Sequence, residues 1–191
     1  MHRDGDWHGA LHVWVGGIGD DGSPFVVFQR RSRSKDSWAG ALDVAVGGHF
    51  RAGETLEDAV REAEEEIGLR VAAADLTRLG RRFAHGGSRR DNEVQDVFAL
   101  RSDLPLRAYT LHPDEVDAVV SMGLEEALAL FDGRAATARG LELARGGREA
   151  VAVGATVEQF AGGEVAGYPS RALRGLAQVV GGAAPEPFEL R

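Results

Sequence analysis

Glu62, Glu65 and Glu66 stand at i, i+3 and i+4 in the run Arg61 to Leu69. On a helix that spacing puts all three carboxylates on one face. Glu64 adds a fourth acid beside them. Like charges so close repel, and the cluster falls in the second half of the expected helix, toward the negative end of its dipole. A bound divalent cation with oxygen ligands, Mg²⁺ or Mn²⁺, is the simplest compensation. Such an ion commonly meets a phosphate-bearing substrate. A solvated acidic face is the plain alternative.

The elements that must carry these residues can be read from periodicity and turn residues. Thr55 to Ile67 reads as the best helix, stopped by Gly68, with Thr55 and Asp58 offering a capping-box start. Leu42 to Val46 is a short strand feeding the loop at Gly47-Gly48. Upstream, Leu11 to Ile18 and Pro24 to Arg30 read as a hairpin around Gly19-Asp20-Asp21-Gly22. Downstream, Leu76 to Ala84, Glu93 to Arg101 and Glu115 to Met122 read as strands, and Leu124 to Phe131 as a short helix. The pattern is weak over 132–147, and Ala150 to Phe160 is strand or extended chain. Ser170 to Val180 reads as an amphipathic helix, and Pro185 to Arg191 as a loose tail. Mixed strands and helices predict a layered α/β domain over 1–182, with 183–191 as its tail.

Composition narrows the function. The chain of 191 residues carries 30 acids against 22 bases, a net charge of −8, which argues against a general nucleic-acid surface. It has no cysteine, so disulfides, thiolate metal sites and cysteine nucleophiles are excluded. No apolar segment reaches membrane-spanning length and MHRDGDWHG is no signal peptide, so a cytoplasmic location is the default expectation.

The order Gly48, five residues, Glu54, six residues, Arg61-Glu62, Ala63, Glu64, Glu65-Glu66, Ile67, Gly68, Leu69 resembles the Nudix box. That motif marks hydrolases that cleave nucleoside diphosphates linked to another group. The resemblance implies an α/β/α sandwich with a mixed sheet. It also implies metal ligation by Gly48, Glu62, Glu65 and Glu66, with Mg²⁺ or Mn²⁺ as cofactor. Arg61 is expected to pair with Glu54 or a neighbouring acid and brace the loop. The segment between Glu54 and Arg61 is one residue shorter than the family usually has. One residue of helix turns the face by about 100°. The shortening is therefore expected in the first turn, Thr55 to Glu57, leaving the three carboxylates facing Gly47-Gly48 and Glu93.

Further stretches look like one Nudix branch, the proteins similar to type I isopentenyl diphosphate isomerase. They are His8 to Trp14, Gln29-Arg30-Arg31, Lys35 to Gly40, Asp43 to His49 and Asp91 to Phe98. Most bacterial members of that branch carry a segment ahead of the HRDG-like start, so the N-terminus reads as short. The isomerase needs a cysteine where Gly47 stands. It uses residues at the positions of His8, His49, Asp91 and Glu93, all present here. Isomerisation is therefore disfavoured, while hydrolysis needs only metal, water and a carboxylate.

The catalytic set is Glu62, Glu65, Glu66 and Glu93, with Glu93 open as ligand or general base. Arg30, Arg31, Lys35 and Trp38 form the expected substrate-binding set, the cations for phosphate and Trp38 for stacking. Arg33, Arg81, Arg82, Arg89 and Arg90 are further phosphate candidates, and a solvated basic face is their plain alternative. His8 and His12, near Trp7 and Trp14 on one strand, read from the strand alone as packing residues. The expected activity is Mg²⁺-dependent cleavage of the diphosphate linkage in a nucleoside diphosphate derivative or related pyrophosphate. A non-catalytic nucleotide-binding sensor is the alternative. The expected partner is a small phosphorylated substrate, with neither nucleic acid nor membrane, and a homodimer is compatible with the chain.

Overall fold

Even and odd residues of the first strand face different cores, and this alternation organises the molecule. A computed structural model describes residues 7–51, 53–85, 92–165 and 167–191. β1 (Trp7–Ile18) turns back at Gly19 to Gly22 into β2 (Pro24–Arg31). After a loop come β3 (Leu42–Val44) and β4 (Val46–His49). Next are two helical pieces, α1 (Leu56–Ala59) and α2 (Arg61–Ile67). Then come β5 (Thr77–Ala84), β6 (Asn92–Arg101), β7 (Val116–Gly123) and α3 (Leu124–Phe131). β8 (Ala138–Ala144), β9 (Val151–Ala155), α4 (Tyr168–Val180) and β10 (Phe188–Leu190) complete the chain.

Among the described residues the strands run β10-β5-β6-β1-β2-β7-β8-β9, with β3 on β2 and β4 on β1. β1 with β6 and β10 with β5 are parallel and the other pairs antiparallel, so the sheet is mixed. β1 and β2 pair only near their turn, from Val15 and Val27 outward. Beyond that, β4 takes the Ala10–Val13 edge of β1 and β3 takes the Phe28–Arg30 edge of β2. β4 thus brings Gly47-Gly48 against the middle of β1.

Helices cover both faces. Trp14, Phe28, Leu79 and Val97 pack with Leu130, Phe131, Leu173 and Leu176 of α3 and α4. Leu11, Val13 and Val15 pack on the other side with Ala59, Ala63 and Ile67 of α1 and α2. This is the α/β/α sandwich the sequence implies.

Three elements differ from expectation. The single helix expected over Thr55 to Ile67 is divided at Val60. Ala63 N–H bonds back only three residues to Val60 O, at 3.1 Å, which tightens the chain there rather than at Thr55 to Glu57. The capping box between Thr55 and Asp58 is formed, so the first turn stays regular. The weak stretch over 132–147 holds β8, whose partners β7 and β9 supply long-range pairing that local pattern does not reveal. The tail expected over 183–191 carries β10, docked in parallel on β5.

Candidate active site

Glycine at 48 is what lets α2 approach the sheet. A methyl group there would sit 2.8 Å from Glu62 Cγ, so only a hydrogen fits. Glu66, one turn on, is 6% exposed. Its Oε2 accepts from Gln29 Nε2 at 3.2 Å and from Gly47 N–H at 3.4 Å. Both donors are neutral. Burial therefore pushes the Glu66 carboxyl up to about 8, with Glu62, Glu115 and Asp43 adding to the rise against the Gly47 bond. Burial and Glu65 likewise raise Glu62. Glu65 is more exposed and lies 3.7 Å from Arg61 Nε. Arg61 also bonds Glu54 Oε1, and Glu54 accepts from Arg51 N–H at 2.7 Å, so the expected brace across the loop is present.

A second donor group is set by strand register. His8 on β1 lies opposite Glu93 on β6, and His49 on β4 lies opposite Ala10. Ligand atoms of His8, His49 and Glu93 lie within 4.8 Å of one another. Glu93 Oε1 is 3.2 Å from His49 Nε2 and 3.9 Å from His8 Nε2, and Glu93 Oε2 accepts from Gln95 Nε2 at 2.7 Å. Burial alone would raise Glu93, but the bonds from His49 and Gln95 outweigh it and hold the carboxyl at about 2. His8 thus belongs to this cluster, not to packing as the strand pattern alone suggested. Asp91 falls outside the described residues, as do Arg89 and Arg90.

A cleft of about 350 Å³ takes Gly47, Gly48, His49 and Glu93 into its wall, while Glu62, Glu65 and Glu66 stand behind the glycine loop and do not line it. Of the expected substrate-binding residues, Arg31 and Trp38 line it. Arg31 is held by Asp43 at 3.2 Å, and Asp43 is itself raised by burial against the pull of Arg31. Trp38 is 49% exposed and sits at φ 53, an uncommon backbone state for a bulky residue. Arg30 and Lys35 are not in the wall: Arg30 bonds Glu142 and Gly40 O, and Lys35 pairs with Glu115. β2 alternates its faces, so adjacent Arg30 and Arg31 cannot both reach one cleft. Arg82 lines the cleft, whereas Arg81 turns to Asp96 at 2.8 Å.

The sequence reading missed Gln95, Asp43 and Tyr168 as parts of this region. Tyr168 contacts His12 across 156 residues of chain, a separation no local pattern reports. Residues 161 and 162 close the same wall.

The donor chemistry fits a divalent cation. A buried carboxylate with only neutral partners is costly as an anion, and a cation at Glu66 and Glu62 relieves that cost. Two imidazoles with an ionised carboxylate also suit such an ion.

Comparison with known proteins agrees with this geometry. Residues 11–143 match the NUDIX domain family. An uncharacterised Nudix hydrolase of Clostridium acetobutylicum is 31% identical over 137 residues, covering 70% of this chain and 66% of that protein. An isopentenyl-diphosphate Delta-isomerase of Salmonella heidelberg is 35% identical over 100 residues, covering 50% of this chain and 52% of the isomerase. The chain thus spans less than two thirds of either relative. The Nudix domain of Shewanella oneidensis NrtR, solved in complex with ADP ribose, shares the fold at TM-score 0.51 and 17% identity, covering 64% of this chain and 77% of that one. A Nudix-box helix, its glycine loop and the match over most of the chain's length converge: this chain belongs to the Nudix family.

Proposed function

We propose that the chain hydrolyses the diphosphate linkage of a nucleoside diphosphate derivative or related pyrophosphate, with Mg²⁺ or Mn²⁺ as cofactor. The observation that carries this reading is Glu66, a buried carboxylate aimed at Gly47 beside Glu62 and Gly48. Glu62, Glu65 and Glu66, with Gly48, would hold one ion, and His8, His49 and Glu93 offer a second donor group. Bound there, a divalent cation lowers the pKa of a water and neutralises charge growing on the bridging oxygen. Arg31 and Arg82 face the cleft and offer donors to diphosphate oxygens. Glu93 and the carboxylates of α2 are the candidates for taking the proton of the attacking water.

Isomerase chemistry has no acid here. Gly47 fills the place where the isomerase resemblance calls for a cysteine, and the chain has no other thiol.

The test is a panel of nucleoside triphosphates, ADP-ribose, sugar nucleotides and prenyl diphosphates, assayed for phosphate or nucleotide release. Turnover of a diphosphate is expected with Mg²⁺ or Mn²⁺ and is lost in chelator. Full activity after exhaustive chelation overturns the metal reading. Dimethylallyl diphosphate formed from isopentenyl diphosphate overturns the exclusion of isomerase. Ligand binding without turnover returns the protein to the sensor class.

A further inference from the structure

Trp14, Tyr168 and His12 form a hydrogen-bonded row, and giving the buried Tyr168 hydroxyl a partner for its own proton assigns the tautomer of His12. Trp14 Nε1 only donates, and it lies 2.8 Å from the Tyr168 hydroxyl. Tyr168 therefore accepts from Trp14 and has its own proton to give. The remaining partner is His12 Nδ1, at 2.9 Å. An Nδ1 that accepts carries no proton, so a neutral His12 carries it on Nε2. Burial keeps the ring neutral, holding His12 at about 4 despite the opposing charge of Glu93, with Arg82, His49 and Arg31 adding to the fall. The ring lines the cleft, and Nε2 has no protein partner among the described residues.

A matching acceptor stands on the next strand. Gln95 lies opposite Ala10 in the parallel pair of β6 and β1, and His12 is two residues further along β1, on the same face. Gln95 is 6% exposed. Its amide nitrogen donates to Glu93, so its oxygen is the atom left over. That oxygen is buried with no partner among the described residues, and it belongs to a residue of the cleft wall. A buried acceptor left unpaired is costly, and such atoms in a cleft wall call for a ligand.

We infer that His12 Nε2–H and Gln95 Oε1 are a donor and acceptor that together read a neutral, hydroxyl-bearing group of the substrate, the sugar side of the diphosphate linkage. A hydroxyl both accepts and donates, so neighbouring sugar hydroxyls satisfy both atoms. A prenyl chain satisfies neither. The pair also lies in the right part of the cleft. His12 is four residues from His8 on one strand, about 13 Å at about 3.3 Å per residue, and in register with Gly47 of β4, so it sits past the His8, His49 and Glu93 donors and beside the glycine loop. Trp14 and Tyr168 are positioning residues in this arrangement: they fix the His12 tautomer without touching the substrate. The inference rests on the hydrolase reading for the diphosphate and adds the class of group attached to it.

Two measurements test it. Nitrogen-15 NMR of His12 in the wild-type protein is expected to show the neutral Nε2–H tautomer, and a mixture in Tyr168→Phe. Calorimetry with ADP-ribose, UDP-glucose and geranyl diphosphate, in Ca²⁺ in place of Mg²⁺, reads binding apart from turnover. Tyr168→Phe should weaken the two sugar nucleotides roughly 3- to 10-fold, the worth of one hydrogen bond, and leave geranyl diphosphate unchanged, while Gln95→Met, which also releases Glu93, should weaken the sugar nucleotides roughly 3- to 10-fold more than geranyl diphosphate. An Nδ1-protonated His12 in the wild type overturns the inference even if a variant fails to fold. So does an equal loss for geranyl diphosphate. Sugar-nucleotide binding that depends on both residues, without any cleavage, sinks the hydrolase reading and leaves this pair standing. Cleavage of ADP-ribose with binding insensitive to both variants does the reverse. Failure of every probe to bind overturns both.

Discussion

Glu66 and Glu93 are carboxylates that their surroundings push in opposite directions, and each direction has a pH consequence. Glu66 rises from 4.5 to about 8 in the metal-free fold. A carboxyl raised on folding contributes stability that is full below 4.5 and is lost as pH climbs through about 8. In chelator, the melting temperature should therefore fall between pH 5 and pH 8, and Glu66→Gln should flatten that fall. A metal-free wild type whose Tm is level over that range would contradict the burial argument. Glu93 is the mirror case: its stabilisation is present above 4.5 and goes as pH drops toward about 2. For activity, Glu66→Gln or Glu65→Gln should lower kcat by at least roughly 10²-fold, measured on whichever substrate the panel finds, while the fold survives. These residues were legible from sequence because their spacing is itself the signal. His12, Gln95 and Tyr168 were not, since each acquires its role from a strand neighbour or a distant helix.

At the scale of elements, the close approach of α2 to β4 carries the site. Gly48→Ala would force its methyl group against Glu62 Cγ, and the helix or the side chain must give way. A displacement of about 1 Å in such a site costs up to roughly 10²-fold, so kcat/KM should fall 10- to 100-fold with little change in far-ultraviolet circular dichroism. An unchanged kcat/KM would show that the helix does not seat there during turnover. The helix break at Val60 was not readable from sequence, because Thr55 to Ile67 has helical residues throughout. What breaks it is a demand from outside the segment. Glu54 must meet Arg61 across the loop while Ala63 and Ile67 stay in the core, and the tight turn at Val60 reconciles the two. α3 was legible from its local apolar period and β2 from its unbroken apolar run Phe25 to Phe28.

Across the whole molecule, the family match ends at residue 143, yet residues beyond that point finish the cleft. Tyr168 stacks edge-on with Phe188 of β10, and β10 covers the outer edge of β5, the strand that carries Arg82. Removing residues 184–191 should therefore lower Tm, at about 2–4 °C per kcal/mol for a domain of this size, and weaken substrate binding with it. A truncated protein with unchanged Tm and affinity would mark β10 as dispensable. β10 was missed in the sequence because three residues after a proline-rich stretch have no period, and only an open strand edge makes them a strand. The row from His12 to Tyr168 also has a meaning for how the protein is made. Tyr168 leaves the ribosome 156 residues after His12, roughly 8 to 30 s later at about 5–20 residues per second. Over the last 75 residues of that interval, from Glu93 to Tyr168 and roughly 4 to 15 s, the glycine loop, α2 and the histidine–glutamate group are already synthesised, while the hydroxyl that fixes His12 is not. The residues proposed to hold the cation are thus all synthesised before the tyrosine that fixes His12, and a chain cut short in its last quarter carries the first without the second.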